Sequence, residues 1–312
     1  MRSPCRAPAP LAGLLLLVLV ACGRPPDAVR IEPPLPDTVP AALVGGAPVP
    51  AASLAVPQLA VAATGDDPAL LAAVRGTLGD DLDHYSVVAR RLSDGRGVAV
   101  NADRVYYAAS LFKLALLYEA ERRRSAGTLD FDAALELRDE DIEQDLGTVG
   151  ALGLGADGTL TLGAAVGAMV TLSDNASAVA LLRLLGPATV DRTLAGLGLR
   201  DTSVNTRELP TTAADMALLM EAVVRGTGVD PAWREDMVEL LLRQETRHGI
   251  PRLLPPGVRA GNKTGTWPGA THDVAFVDAP GGLYVIAVLS DRGWDWDPIA
   301  RVSRAVYDAL AR

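Results

Sequence analysis

Ser110 and Lys113 stand three residues apart in Ser110-Leu111-Phe112-Lys113, the spacing that puts two side chains on one face of a helix. A serine hydroxyl is a poor nucleophile until a base removes its proton, and a lysine within reach supplies one when its amine is uncharged. An ordinary lysine, with a pKa of ~10.4, is protonated at neutral pH. Burial and a second nearby cation both favour the neutral amine, and the neighbours of Lys113, which are Phe112, Leu114 and Leu116, predict burial. At the mouth of a helix, Ser110 would also meet unpaired backbone N–H groups that favour developing negative charge.

Two further triplets follow in order, Ser173-Asp174-Asn175 and Lys263-Thr264-Gly265. Singly each is common, and a Ser-Asp-Asn cluster is an ordinary helix cap or turn. In this order and in these contexts the three motifs make the chain resemble the class A β-lactamases and related penicillin-recognising serine hydrolases, over about Asp67 to Arg312. The resemblance implies Ser110 as nucleophile and Lys113 as base, with Ser173 relaying a proton to the leaving nitrogen. It implies that Asn175 orients Lys113 and the substrate amide, that Lys263 and Thr264 hold the substrate carboxylate, and that Gly265 lets the substrate lie against the strand. The oxyanion would rest on the backbone N–H groups of Ser110 and Thr266. It implies a small-molecule β-lactam or cell-wall peptide as substrate and no cofactor.

Two departures from the family pattern matter. Its Glu-x-x-Leu-Asn loop, whose glutamate activates water against the acyl-enzyme, is missing between Leu199 and Pro210, where Glu208 is the one acid near the loop's end. Glu208 therefore has two readings, a deacylating base or a surface acid. Where many relatives place an arginine after the third motif, the chain reads Ala270-Thr271-His272-Asp273. His272 is either a pH-dependent cation for the substrate or a structural partner of Asp273.

The elements that must hold these residues can be read from spacing. A helix through Ala69, Leu70, Ala73 and Leu78, capped by Asp66 or Asp67, precedes strands at Tyr85–Arg91 and Gly97–Asn101 joined by an Asp94-Gly95 turn. A helical stretch runs from Ser110 to about Gln244, with apolar stripes such as Leu111-Leu114-Tyr118 and Met216-Leu219-Val223. Strands return at Val258–Thr266, Asp273–Val277 and Leu283–Leu289, and a helix through Ile299, Val302, Val306 and Leu310 closes the chain. The fold class expected is α/β (α+β): one antiparallel five-stranded sheet flanked by helices, with an all-helical lobe over about 102–250. Gly153-Leu154-Gly155-Ala156-Asp157-Gly158 imitates a dinucleotide-binding pattern, but with no strand before it the segment reads as a loop.

Of 312 residues, 49% are hydrophobic and 21% charged, enough apolar side chains for a large core. A net charge of -9 argues against nucleic acid as a partner. The one basic run, Arg122-Arg123-Arg124, sits where it would complement a helix dipole. Two cysteines and three scattered histidines predict neither a disulfide framework nor a metal site.

Residues 1–22 read as an export signal. Arg2 and Arg6 precede the apolar run Leu11–Val20, which at ~1.5 Å per residue is too short for a bilayer core of about 30 Å. Leu19-Val20-Ala21-Cys22 resembles a bacterial lipobox, which implies acylation of Cys22 and membrane contact through that anchor alone. Residues 23–65 carry nine prolines between Gly23 and Thr64 and read as a semi-rigid spacer before a catalytic domain over 66–312, expected to be monomeric.

Overall fold

The computed structural model describes residues 67–311 apart from 146, 149, 151, 153 and 155–158. The expected export signal with Cys22, the expected spacer and most of the glycine-rich segment after Ala151 therefore lie outside the described residues. No described helix is long and apolar enough to cross a membrane.

Pro68 opens α1 (Pro68–Leu78), and Asp67 caps it by accepting from the N–H groups of Ala69 and Leu70. The hairpin of β1 (Tyr85–Arg91) and β2 (Gly97–Val100) turns at Gly95, whose φ of 74° is open to glycine at little cost. Next come β3 (Tyr106–Tyr107), a tight turn over Ala109–Leu111, α2 (Phe112–Ser125), β4 (Ala134–Glu136), α3 (Asp139–Ile142) and β5 (Thr159–Thr161). Then follow α4 (Leu162–Thr171), α5 (Asn175–Leu185), α6 (Pro187–Leu197), β6 (Pro210–Thr211), α7 (Ala213–Arg225) and α8 (Pro231–Leu242). The chain ends with β7 (Arg259–Trp267), β8 (Ala270–Ala279), β9 (Gly282–Ser290) and α9 (Trp296–Leu310).

The five long strands form one sheet in the order β2-β1-β9-β8-β7, every neighbouring pair antiparallel. Both of its faces are covered, and the alternation along β9 shows how. Ile286 and Val288 join the core made with α1 and α9, while Val285, Ala287 and Leu289 join the larger core of the helical lobe. The lobe also contains two short ladders, β4–β5 and β3–β6.

At the lobe's centre, every residue of α2 from Phe112 to Arg122 is buried. Its charged residues are paired accordingly. Burial pushes the Glu119 carboxyl up, but Arg122 and Arg123, at 2.8 Å and 2.6 Å, outweigh that and hold it below its ordinary value. Arg124 stacks on the rings of Phe131 and Trp233 and pairs with Asp236. The basic run thus works through specific partners, which the dipole reading did not anticipate.

Candidate active site

The turn before α2 carries strain. Ala109 has φ of 46°, an uncommon conformation for a residue with a Cβ, and it delivers Ser110 into the angle between lobe and sheet with 2% of its surface exposed. Lys113, one turn on, is fully buried, and its Nζ lies 2.9 Å from Ser110 Oγ. The same amine donates to the Ser173 carbonyl at 2.6 Å and to Asn175 Oδ1 at 2.5 Å, and stands 3.2 Å from Ser173 Oγ.

Ser173 lies between α4 and α5 with φ of 60°. Asp174 caps α5 by accepting from Ser177 N, which fixes the orientation of Asn175 in the helix's first turn. Across from it, the buried Lys263 of β7 donates to Ser173 Oγ at 3.0 Å and to the Thr264 carbonyl at 3.0 Å. Ser110, Lys113, Ser173, Asn175 and Lys263, distant in sequence, are thereby brought into one hydrogen-bonded cluster.

Gly265 has a nearer reason to be glycine than substrate clearance. A Cβ there would stand 2.8 Å from the Ala108 carbonyl and 3.2 Å from the N of Ser110, so β7 presses directly on the turn that carries Ser110. Thr264 is buried on β7 beside Lys263, and Thr266 follows Gly265, half-buried. Tyr107, which precedes Ala108, and Trp267, two residues after Gly265, meet edge to face at 5.7 Å.

His272 is corrected from a substrate cation to a structural residue. It is fully buried, its Nε2 meets the Tyr107 carbonyl at 2.9 Å, and its Nδ1 accepts from Ser290 N. Burial lowers its pKa to about 4, so the ring is neutral near pH 7. Nor is it paired with Asp273, whose carboxylate accepts from Asn262 Nδ2 and Ile250 N. Glu208 is exposed.

The short loop between α6 and α7 is held in ways no local motif announced. Asp215 accepts from Arg200 N, Asp201 N and the Thr202 hydroxyl, and Asp191 accepts from the Ser203 hydroxyl and Val204 N. The Leu209 carbonyl accepts from Ala108 N at 2.8 Å, and β6 pairs Pro210 with Tyr107, so the loop is fastened to the turn that carries Ser110. Asp215 had a faint signal as the third residue after the Thr212 cap; Asp191, on α6, had none.

Among the described residues no group of His, Cys, Asp and Glu could hold a metal ion. A cavity of about 320 Å³ lined by Val88, Ala99, Ala214 and Leu218 lies between α7 and the sheet, and none of the clustered side chains lines it.

Residues 71–310 match the model of the beta-lactamase enzyme family. The chain belongs to that family. No curated protein matches it. Among solved structures, the β-lactamase of Sphaerobacter thermophilus DSM 20745 is 25% identical over 78% of this chain and 96% of that one, with a TM-score of 0.67. An ancestral class A β-lactamase is 26% identical over 77% and 98%, again with a TM-score of 0.67. A variant of PBP-A in an acyl-enzyme complex with penicillin G is 26% identical over 72% and 89%, with a TM-score of 0.67. This member of the beta-lactamase family is thus similar both to β-lactamases and to a penicillin-acylated protein, and its five-stranded antiparallel sheet with helices matches their fold.

Proposed function

We propose that the chain is a serine hydrolase that opens the β-lactam amide through an acyl-enzyme on Ser110. One observation carries the reading. The amine of Lys113 lies 2.9 Å from Ser110 Oγ, and Ser173 Oγ sits between that amine and Lys263, at 3.2 Å and 3.0 Å. In this scheme Lys113 takes the Ser110 proton as Oγ attacks the lactam carbonyl, and the backbone N–H groups of Ser110 and Thr266 hold the oxyanion. The C–N bond then breaks as Ser173 passes its proton to the leaving nitrogen, and Lys113 returns one to Ser173. Lys263 and Thr264 attract the substrate carboxylate. Water finally cleaves the ester and releases Ser110.

A second reading, a penicillin-binding D,D-peptidase or cell-wall amidase that keeps its penicillin adduct, is favoured by the loop. It lacks Glu-x-x-Leu-Asn, and its Glu208 is exposed. Mass spectrometry of the intact protein after penicillin addition separates the two. A one-to-one adduct on Ser110 that decays with release of opened lactam is expected of the hydrolase. A persistent adduct, with D-alanine released from a muropeptide, would transfer the assignment to the peptidase, and no adduct at all would remove both.

The reading extends to place: an exported monomer held at the bacterial envelope by an acylated Cys22, with residues 23–65 as spacer. The wild-type protein is expected to partition with membranes and its Cys22→Ser variant with the soluble fraction; equal partitioning would remove the anchor.

A further inference from the structure

Behind the contact between Ser173 and Lys263 runs a second layer of buried polar groups that the scheme above does not use. Asp273 lies on β8 opposite Thr264, fully enclosed in a strand otherwise dominated by apolar residues. Its Oδ1 accepts from Asn262 Nδ2 at 2.9 Å and its Oδ2 from Ile250 N at 2.7 Å. Asn262 precedes Lys263, and the same Nδ2 donates to the Thr246 carbonyl at 3.1 Å. Thr246 N donates to Gln244 Oε1 at 3.0 Å, and Gln244 Nε2 donates to the Val170 carbonyl at 2.8 Å. Beside it, Glu245 N donates to the Thr171 carbonyl at 3.0 Å. Val170 and Thr171 end α4, just ahead of Ser173.

We infer that Asp273 is a positioning residue, acting through Asn262 and Gln244 to set the spacing between the strand that carries Lys263 and the backbone that delivers Ser173. The inference rests on the roles given above to those two side chains.

The chemistry of the network makes that spacing sensitive to one proton. An ionised Asp273 accepts from both of its donors. A protonated one needs an acceptor, and Asn262 Oδ1 is buried without a partner. Reaching it requires the amide to turn over, which takes Nδ2 away from Thr246 and loosens the link to α4. Burial raises the Asp273 carboxyl to about 7, against the opposing pull of Asn262, the Ile250 N–H, Lys263 and Arg247. Lys263 from β7 and Arg247 from the segment after α8 are the charges acting on it. His272, next to it on β8, is held neutral at this pH.

The test is the rate at which a fluorescent penicillin acylates Ser110 across pH. Wild type is expected to gain about fivefold between about pH 6 and pH 8 as the network closes. Asp273→Asn offers a fixed N–H₂ group in place of the protonated carboxyl, and should be slow and flat over that range. Gln244→Ala cuts the link downstream of the titrating group, so it should be slower than wild type and lose most of the rise with pH. An Asp273→Asn protein with the wild-type profile would overturn the inference, as would a Gln244→Ala protein as fast as wild type should Asp273→Asn fail to fold. A wild type that forms no adduct at any pH would instead remove the hydrolase reading, and this role of Asp273 with it.

Discussion

Lys113→Met will lower the rate of Ser110 acylation by penicillin by about three orders of magnitude, the middle of the range for loss of a positioned general base. The expectation follows from counting hydrogens on Nζ. The Ser173 carbonyl and Asn175 Oδ1 can only accept, and at 2.6 Å and 2.5 Å they occupy two N–H bonds of the amine. What remains faces Ser110 Oγ at 2.9 Å and, farther off, Ser173 Oγ at 3.2 Å: a third N–H in the ammonium, or a lone pair ready for a serine proton in the neutral amine. Enclosure and the nearby Lys263 both work against the ammonium. Methionine leaves the two acceptors unsatisfied, at about 1–3 kcal/mol each, so thermal melting must accompany the kinetics. Lys113→Arg settles whether lost charge or lost base matters, because a guanidinium donates but does not give up its proton. Both variants should be slow while remaining folded; an arginine variant within tenfold of wild type would show that Lys113 is only a positive charge.

Much of the architecture could be read along the chain because its signals are local. The strand expected at Tyr85–Arg91 occupies those residues, and the turn at Asp94-Gly95 joins it to its partner. The three expected C-terminal strands are each present, with ends shifted by one to three residues. Apolar spacing marked the helical lobe, but it could not mark β3 and β6, which are two residues long, one of them a proline, and exist only because they meet each other. The three triplets were visible as motifs; their meeting at Ser173 Oγ depends on contacts of 60 and 90 residues' separation. His272 was ambiguous for a related reason. Its neighbours Thr271 and Asp273 are polar, so nothing local announces a buried strand, and only the pairing of His272 with Gly265 and Leu289 turns the ring inward. The Asp273–Asn262–Gln244 network has no local signature, because each member is an ordinary polar residue until the fold closes around it.

Gly265→Ala, a change of one methyl group with no charge involved, should cost about two orders of magnitude in acylation while leaving Lys113, Ser173 and Lys263 chemically intact. The new Cβ would stand 2.8 Å from the Ala108 carbonyl and 3.2 Å from the N of both Ser110 and Leu111, all backbone atoms with no flexible end to move aside. Either β7 retreats, carrying Lys263 away from Ser173, or the turn over Ala109 shifts, and with φ of 46° at Ala109 that turn has little conformational slack. Each relief separates groups that must act together, and a misplacement of about 1 Å can cost about a hundredfold. The loop side opposes the second route, since Ala108 is tied to Leu209 and Tyr107 to Pro210. The comparison that isolates the effect is Gly261→Ala on the same strand, where the added carbon would press on the side chains of Phe276 and Leu241 in the lobe core. Both variants should lose stability, but only Gly265→Ala should lose acylation rate out of proportion to its melting temperature. Parallel losses in the two would mean that β7 supports the sheet without setting the geometry at Ser110.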